Sequence, residues 1–148
     1  MPDPKLRILY VDDEPNYAKF YVKKLEETYD VTYVEEADQA LALLSEQGAA
    51  FAAVVLDIMM PVPPETDDAE TDSGFETGLW LLDRFRRSSG AVLPFPVVIL
   101  TNRRVDLIKA GMERRQLDPG SVQIHRKIET PAFALPKLLK AAIEAHVR

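Results

Sequence analysis

The chain has 148 residues, of which 47% are hydrophobic and 28% charged, a composition ordinary for one soluble globular domain. The absence of cysteine excludes disulfides and thiolate metal sites. The net charge of −6 arises from six acids between Pro61 and Gly78, and since the chain has no dense basic run, no nucleic-acid binding is expected. Neither a signal peptide nor a membrane span of ~20 apolar residues is expected from this sequence. We therefore predict one cytoplasmic domain over residues 1–148.

The hydrophobic pattern predicts strands and helices in strict alternation along the chain. Strands are expected at residues 6–11, 31–36, 51–58, 95–101 and 121–126. Helices are expected at residues 15–29, 39–47, 78–88, 104–116 and 131–147, with Pro15 opening the first, Asp38 capping the second and Gly48 ending it. Such alternation is typical of an α/β fold around a parallel sheet.

A small set of polar residues stands directly after the predicted strands. Asp12 and Asp13 follow the first strand, Asp57 the third, Thr101 the fourth and Lys127 the fifth. In an open parallel sheet, ligands bind at the carboxyl ends of the strands. The sequence therefore predicts that these carboxylates, one hydroxyl and one amine converge at one edge of the sheet.

The charges of this set suggest its chemistry. Carboxylates ~4 Å apart repel each other by roughly 4 kcal/mol at an effective dielectric constant near 20, so they hold a proton or bind a cation. Oxygen ligands alone favour Mg²⁺. An aspartate beside such an ion can attack phosphorus, with a hydroxyl and an ammonium holding the other phosphoryl oxygens. A phosphohydrolase is disfavoured, because Met59 stands where such enzymes place a second acid.

The motifs "ILYVDDEP", "VVLDIMMP" and "PVVILT", with a lysine closing the fifth strand, resemble the receiver domain of two-component response regulators. The resemblance covers almost the whole chain. It implies a flavodoxin-like, doubly wound sheet of five parallel strands with helices on both faces.

The resemblance also implies a role for each acidic residue of the site. Asp57 would be the phosphoacceptor. Asp13 and Asp57 would bind Mg²⁺ directly, the backbone carbonyl of Met59 would be a third ligand, and Asp12 would assist through water.

Thr101 and Lys127 would sense the phosphoryl group, by the same resemblance. The phosphodonor would be a histidine kinase or a histidine phosphotransfer protein, and the chain would catalyse only its own phosphorylation and dephosphorylation. An unknown downstream protein, or a second copy of the chain, would bind the face built from residues 104–116, 121–126 and 131–147.

The sequence departs from this family pattern at four places. Gly78 is the best match to a family glycine that normally comes sooner, which leaves an insertion of about 13 residues within residues 62–77. We call residues 62–77 the acidic segment; its proline and acidic content predicts a solvated, mobile loop. Ile124 occupies an aromatic position, Ile128 a proline position and Asn102 a small-residue position. The alternative is therefore an interaction module that signals without phosphorylation.

Overall fold

The fold is built on one parallel sheet, as seen in a computed structural model that describes residues 4–90 and 93–147. The described residues form five strands: β1 (Arg7–Val11), β2 (Asp30–Val34), β3 (Phe51–Leu56), β4 (Val97–Thr101) and β5 (Val122–Arg126). Their order across the sheet is β2-β1-β3-β4-β5, and every neighbouring pair is parallel. The predicted flavodoxin-like arrangement is confirmed.

Within the part of the chain that the structure describes, six α-helices connect and flank the strands. They are α1 (Pro15–Leu25), α2 (Ala37–Gln47), the one-turn α3 (Asp68–Thr71), α4 (Thr77–Ser89), α5 (Val105–Arg114) and α6 (Leu135–Val147). Five of them correspond to predicted helices, and α3 lies inside the acidic segment. The face predicted from the fourth helix, fifth strand and fifth helix is accordingly built here from α5, β5 and α6.

The helices cover both faces of the sheet and bury a core on each. One core joins α2, α4 and α5 to the sheet, with Leu44, Leu81 and Met112 all at most 2% exposed. The other core joins α1 and α6 to the opposite face, where Leu25 and Leu139 are fully buried. The central strands are buried on both sides, which explains their continuous apolar sequence.

Several local predictions need correction. Asp38 does not cap α2, because the helix begins at Ala37 and Asp38 lies within its first turn. Gly48 follows the end of α2 as predicted, although its φ of −52° is right-handed and the chain continues into a short 3-10 turn. The strand predicted at residues 95–101 begins only at Val97.

Within residues 4–90 and 93–147, no helix is long and apolar enough to cross a membrane. The prediction that no signal peptide is present includes residues 1–3, which lie outside the described residues.

Candidate functional site

The site lies where β1 and β3 end side by side. Val11 pairs with Leu56 in the register of these two strands, so Asp12 and Asp57 leave adjacent strands at the same level. The Asp57 N–H donates to the Val11 carbonyl at 3.0 Å and continues the ladder by one step. In the order β2-β1-β3-β4-β5 this is the topological switch point, where open α/β sheets bind ligands.

Lys127 connects the carboxylates of two strands. Its Nζ lies 2.8 Å from Asp12 Oδ2 and donates to Asp57 Oδ2 at 2.9 Å. The second oxygen of each carboxylate accepts a backbone N–H, from Glu14 at 2.9 Å and from Ile58 at 2.7 Å. Both aspartates are therefore held from two sides, and their side chains are no more than 3% exposed.

Asp13 completes the acidic group and leaves an oxygen without a partner. Ligand atoms of Asp12, Asp13, Glu14 and Asp57 all lie within 4.8 Å of one another. Asp13 Oδ1 is buried and has no hydrogen-bond partner among the described residues. A buried oxygen without a partner is costly unless something binds it. This group of carboxylates fits a metal ion.

The charges of the site favour a cation of charge two. Without the exposed Glu14, the carboxylates of Asp12, Asp13 and Asp57 against the single ammonium of Lys127 leave a formal charge of −2. Oxygen donors of this kind are the ligands of hard divalent cations.

The pKa shifts of the site reflect burial first and the neighbouring negative charges second. Burial, followed by the charge of Asp57, raises the pKa of Asp12 to about 6. The same two causes raise the pKa of Asp13. Burial acts to lower the pKa of Lys127, but the carboxylates of Asp57 and Asp12 outweigh it and raise that pKa above its ordinary value of 10.5. Lys127 is therefore a permanent cation in the physiological range.

Thr101 is the last residue of β4 and is fully buried. The last paired residues of the parallel strands β3 and β4 are Leu56 and Ile99. Thr101 therefore lies at the same carboxyl edge of the sheet as the residues that follow Leu56. Its Oγ accepts the N–H of Arg103 at 3.4 Å. The role predicted for Thr101 and the ligand role predicted for the Met59 carbonyl both stay predictions.

Gly78 at the start of α4 packs directly against the phosphoacceptor candidate. Its N–H donates to the Ile58 carbonyl at 2.9 Å, and Thr77 Oγ donates to the Met60 carbonyl at 2.8 Å. A Cβ on Gly78 would meet the carbonyl oxygen of Asp57 and lie 2.9 Å from the Ile58 Cα. The glycine that the sequence pattern singled out is therefore one that this close approach requires.

Tyrosines that were not predicted as site residues support the site from behind. Tyr33 donates its hydroxyl to the Asp12 carbonyl at 2.6 Å, and Tyr21 donates to the Thr130 carbonyl at 2.6 Å. Thr130 directly follows the short 3-10 turn Lys127–Glu129, in which Ile128 is 76% exposed, so the second contact holds the end of that turn. In the sequence, the only indication of a role for Tyr33 was that an aromatic residue with a hydroxyl group stands near the end of a predicted strand.

The acidic segment is not the fully solvated loop that its composition predicts. Glu76 is 2% exposed and binds Arg115 at 2.6 Å and Arg114 through their guanidinium groups. Burial alone would raise the pKa of Glu76, but these hydrogen bonds lower it. Gly111 permits this approach, because a Cβ there would lie 2.7 Å from the Glu76 carboxylate.

Two further acids of the segment are also paired, and the rest are exposed. Glu70 binds Arg84 at 3.1 Å, and Asp72 lies 3.5 Å from Arg103. The acidic segment is thus bound by four arginines from other parts of the chain, Arg84, Arg103, Arg114 and Arg115. The sequence signal for this was an acid placed directly before the apolar run of α4.

The sequence matches no family model and no curated protein.

Solved structures, in contrast, resemble this fold over nearly its whole length. The receiver domain of a Francisella response regulator matches with a TM-score of 0.66 and 22% identity, over 97% of this chain and 98% of that one. A LuxR-family two-component response regulator from Aurantimonas matches with a TM-score of 0.68 and 20% identity, over 95% of this chain and 86% of that one. A beryllofluoride-activated DrrB receiver domain matches with a TM-score of 0.64 and 20% identity, over 95% of this chain and 98% of that one. The chain therefore has the fold of response regulator receiver domains.

Proposed function

We propose that this chain is a phosphoacceptor receiver domain of a two-component or phosphorelay system, with Asp57 as the residue that is phosphorylated. The observation that carries the proposal is the Lys127 ammonium, which binds both Asp57 and Asp12 beside the unpartnered buried oxygen of Asp13. The fold and the position of these residues at its ligand-binding edge support the same function.

The acidic residues would hold Mg²⁺. Asp13 and Asp57 would bind the ion directly, Asp12 would act through water, and the Met59 carbonyl would complete the protein ligands. When bound, the ion would neutralise the phosphoryl oxygens and orient them for in-line transfer. The unpartnered Oδ1 of Asp13 supports this assignment, because it would gain a partner.

In the transfer step, a carboxylate oxygen of Asp57 attacks the phosphorus of a phosphohistidine. The new bond joins this oxygen to phosphorus, the bond between phosphorus and the imidazole nitrogen breaks, and the imidazole keeps the electron pair. Lys127 already donates to Asp57, and its ammonium would then bind a phosphoryl oxygen. The Thr101 hydroxyl would donate to another. The chain would thus be no enzyme toward other substrates, and would catalyse only its own phosphorylation and dephosphorylation.

The partners follow from this chemistry. A cytoplasmic histidine kinase or histidine phosphotransfer protein would supply the phosphoryl group. The face of α5, β5 and α6 would bind an unknown downstream protein or a second copy of the chain, with neither nucleic acid nor membrane as a partner.

Intact mass measurement with acetyl phosphate and Mg²⁺ tests the proposal. The wild-type protein should gain about 80 Da, the mass of one phosphoryl group on one side chain. Asp57→Asn should gain nothing, and Asp30→Asn, which changes an exposed aspartate of β2 in the same way, should behave like wild type. Equal labelling of all three proteins would reject Asp57.

The same measurement separates the alternative function. If the wild-type protein gains no mass from acetyl phosphate or from a phosphorylated histidine donor, an interaction module that works without phosphorylation is favoured.

A further inference from the structure

The acidic segment contacts the turn that follows Thr101 through one side chain, Arg103. The Arg103 side chain is 14% exposed, and its guanidinium lies 3.5 Å from Asp72 and 3.9 Å from Glu76. The guanidinium carbon also lies 5.2 Å from the ring centroid of Phe75, a cation–π contact. Three residues of one segment therefore surround a single arginine.

The same arginine is bound to the candidate site through its backbone. The Arg103 N–H donates to Thr101 Oγ at 3.4 Å, which is a long hydrogen bond. Because this bond occupies a lone pair of the oxygen, the hydroxyl proton of Thr101 stays available for another acceptor. A bond of this length restrains the turn only weakly, and the Arg103 side chain adds further contacts to the turn through the acidic segment.

The acidic segment is itself anchored to the body of the fold. Glu76 is buried against α5 by Arg114 and Arg115, and Thr77 next to it donates to the Met60 carbonyl. The segment is thus fixed at a residue that also faces Arg103. A continuous series of contacts runs from α5 through Glu76 to Arg103 and Thr101.

We propose that Arg103 is a positioning residue, which the acidic segment anchors so that the Thr101 hydroxyl is oriented toward a phosphoryl group on Asp57. This inference rests on the proposed function and assigns the acidic segment a part in it. Orientation in advance lowers the entropy lost when the phosphoryl group is bound, so it strengthens binding of the group without any contact to it.

The decisive comparison is between two neighbouring arginines. Arg103→Gln removes the anchored side chain, whereas Arg104→Gln removes one that is 71% exposed and pairs with the exposed Asp106. Beryllofluoride serves as the phosphoryl probe, and its affinity is measured from the amide shift of Ile58. Mg²⁺ affinity is measured separately by calorimetry, because the proposed metal ligands do not include Thr101.

We expect Arg103→Gln to weaken beryllofluoride binding by about fivefold, the low end of coupling between two sites. Mg²⁺ affinity should stay within about twofold of the wild-type value in both variants, because a change of that size lies below the fivefold at which coupling between two sites begins. Arg104→Gln should bind beryllofluoride like wild type, and Arg103→Lys should recover part of the loss because it keeps the charge without the planar group.

A second variant tests the anchor from the side of the acidic segment. Asp72 has a φ of +51°, which asparagine tolerates, so Asp72→Asn removes the charge without backbone strain. It should weaken beryllofluoride binding in the same direction by a smaller factor, since Asp72 is 58% exposed. By reciprocity, beryllofluoride should slow amide hydrogen exchange at residues 72–76 in the wild-type protein and not in Arg103→Gln.

Three results would overturn the inference. Unchanged beryllofluoride affinity in Arg103→Gln would show that the turn needs no anchor. Equal losses of beryllofluoride and Mg²⁺ affinity would show a general loosening of the site. Failure of the wild-type protein to bind beryllofluoride would overturn the proposed function, and this inference with it.

Discussion

Replacing Lys127 with methionine would remove the ammonium that stands between two buried carboxylates. The Lys127 Nζ lies 2.8 Å from Asp12 Oδ2 and 2.9 Å from Asp57 Oδ2, and all three side chains are at most 4% exposed. The two carboxylate oxygens are therefore less than about 6 Å apart, where two unit charges repel by about 3 kcal/mol at an effective dielectric constant of 20. Lys127→Met should lower the free energy of unfolding by about this amount, as expected when one partner of a buried pair is removed.

The loss should depend on pH in a defined direction. Burial and Asp57 raise the pKa of Asp12 to about 6 from an ordinary value of 3.8, so the folded state binds the extra proton between these values. The stabilisation that protonated Asp12 contributes to the folded state is present at low pH and is lost as the pH rises through 6. The pKa of Lys127 is raised above 10.5, so its own stabilising effect is complete throughout the neutral range. The deficit of Lys127→Met should therefore be largest near pH 8 and shrink toward pH 5, as Asp12 becomes protonated.

Urea unfolding in EDTA at these two pH values measures the effect. Lys140→Met is the matched control, because Lys140 is exposed on α6 and the charge change is the same. Its free energy of unfolding should stay within about 0.5 kcal/mol of the wild-type value. The reasoning would be refuted if Lys127→Met lowered the free energy of unfolding by less than about 1 kcal/mol, which is the value of an ordinary surface pair. A loss that is equal at both pH values would refute it as well.

Three further substitutions give distinct outcomes. Asp13→Ala should abolish the Mg²⁺ binding that calorimetry detects. In EDTA it should raise the melting temperature by about 2 °C, because the repulsion among the carboxylates of the site is relieved. Unchanged Mg²⁺ affinity would exclude Asp13 as a ligand. Gly78→Ala should lower the free energy of unfolding in urea by more than about 2 kcal/mol, since its Cβ meets the Asp57 carbonyl. Gly120→Ala is the control and should lower it less, because the new Cβ faces only a side chain at 3.3 Å. Equal losses in the two variants would contradict the close approach at Gly78. Glu76→Gln should cost about 2 kcal/mol at pH 7. Because arginines lower the pKa of this carboxyl below 4.5, the difference from wild type should disappear as the pH falls below that value; a difference that persists in acid would argue against the ion pairs.

The sequence was sufficient to predict the class of fold and the edge of the sheet at which Asp12, Asp57 and Lys127 meet. Apolar runs such as residues 51–58 alternate with helical patterns, and this order leaves few topologies besides a parallel α/β sheet. Asp12, Asp57 and Lys127 could be assigned to one edge because each follows a predicted strand, and parallel strands end on the same side.

The identity of the charge partners was decided only by the tertiary structure. Composition marked residues 62–77 as acidic and solvated, yet Glu76 is buried against Arg114 and Arg115, which are 38 and 39 positions away in the chain. The local pattern marks Glu76 as an acid directly before the apolar run of α4 but does not identify its partners, because hydrophobic periodicity reports which face of an element is buried and not which charge lies opposite. The sequence thus determined where carboxylates leave the sheet. Only the tertiary contact of Glu76, directly before α4, with Arg114 and Arg115 at the end of α5 determined which carboxylates stay free for a ligand and which are held by arginine.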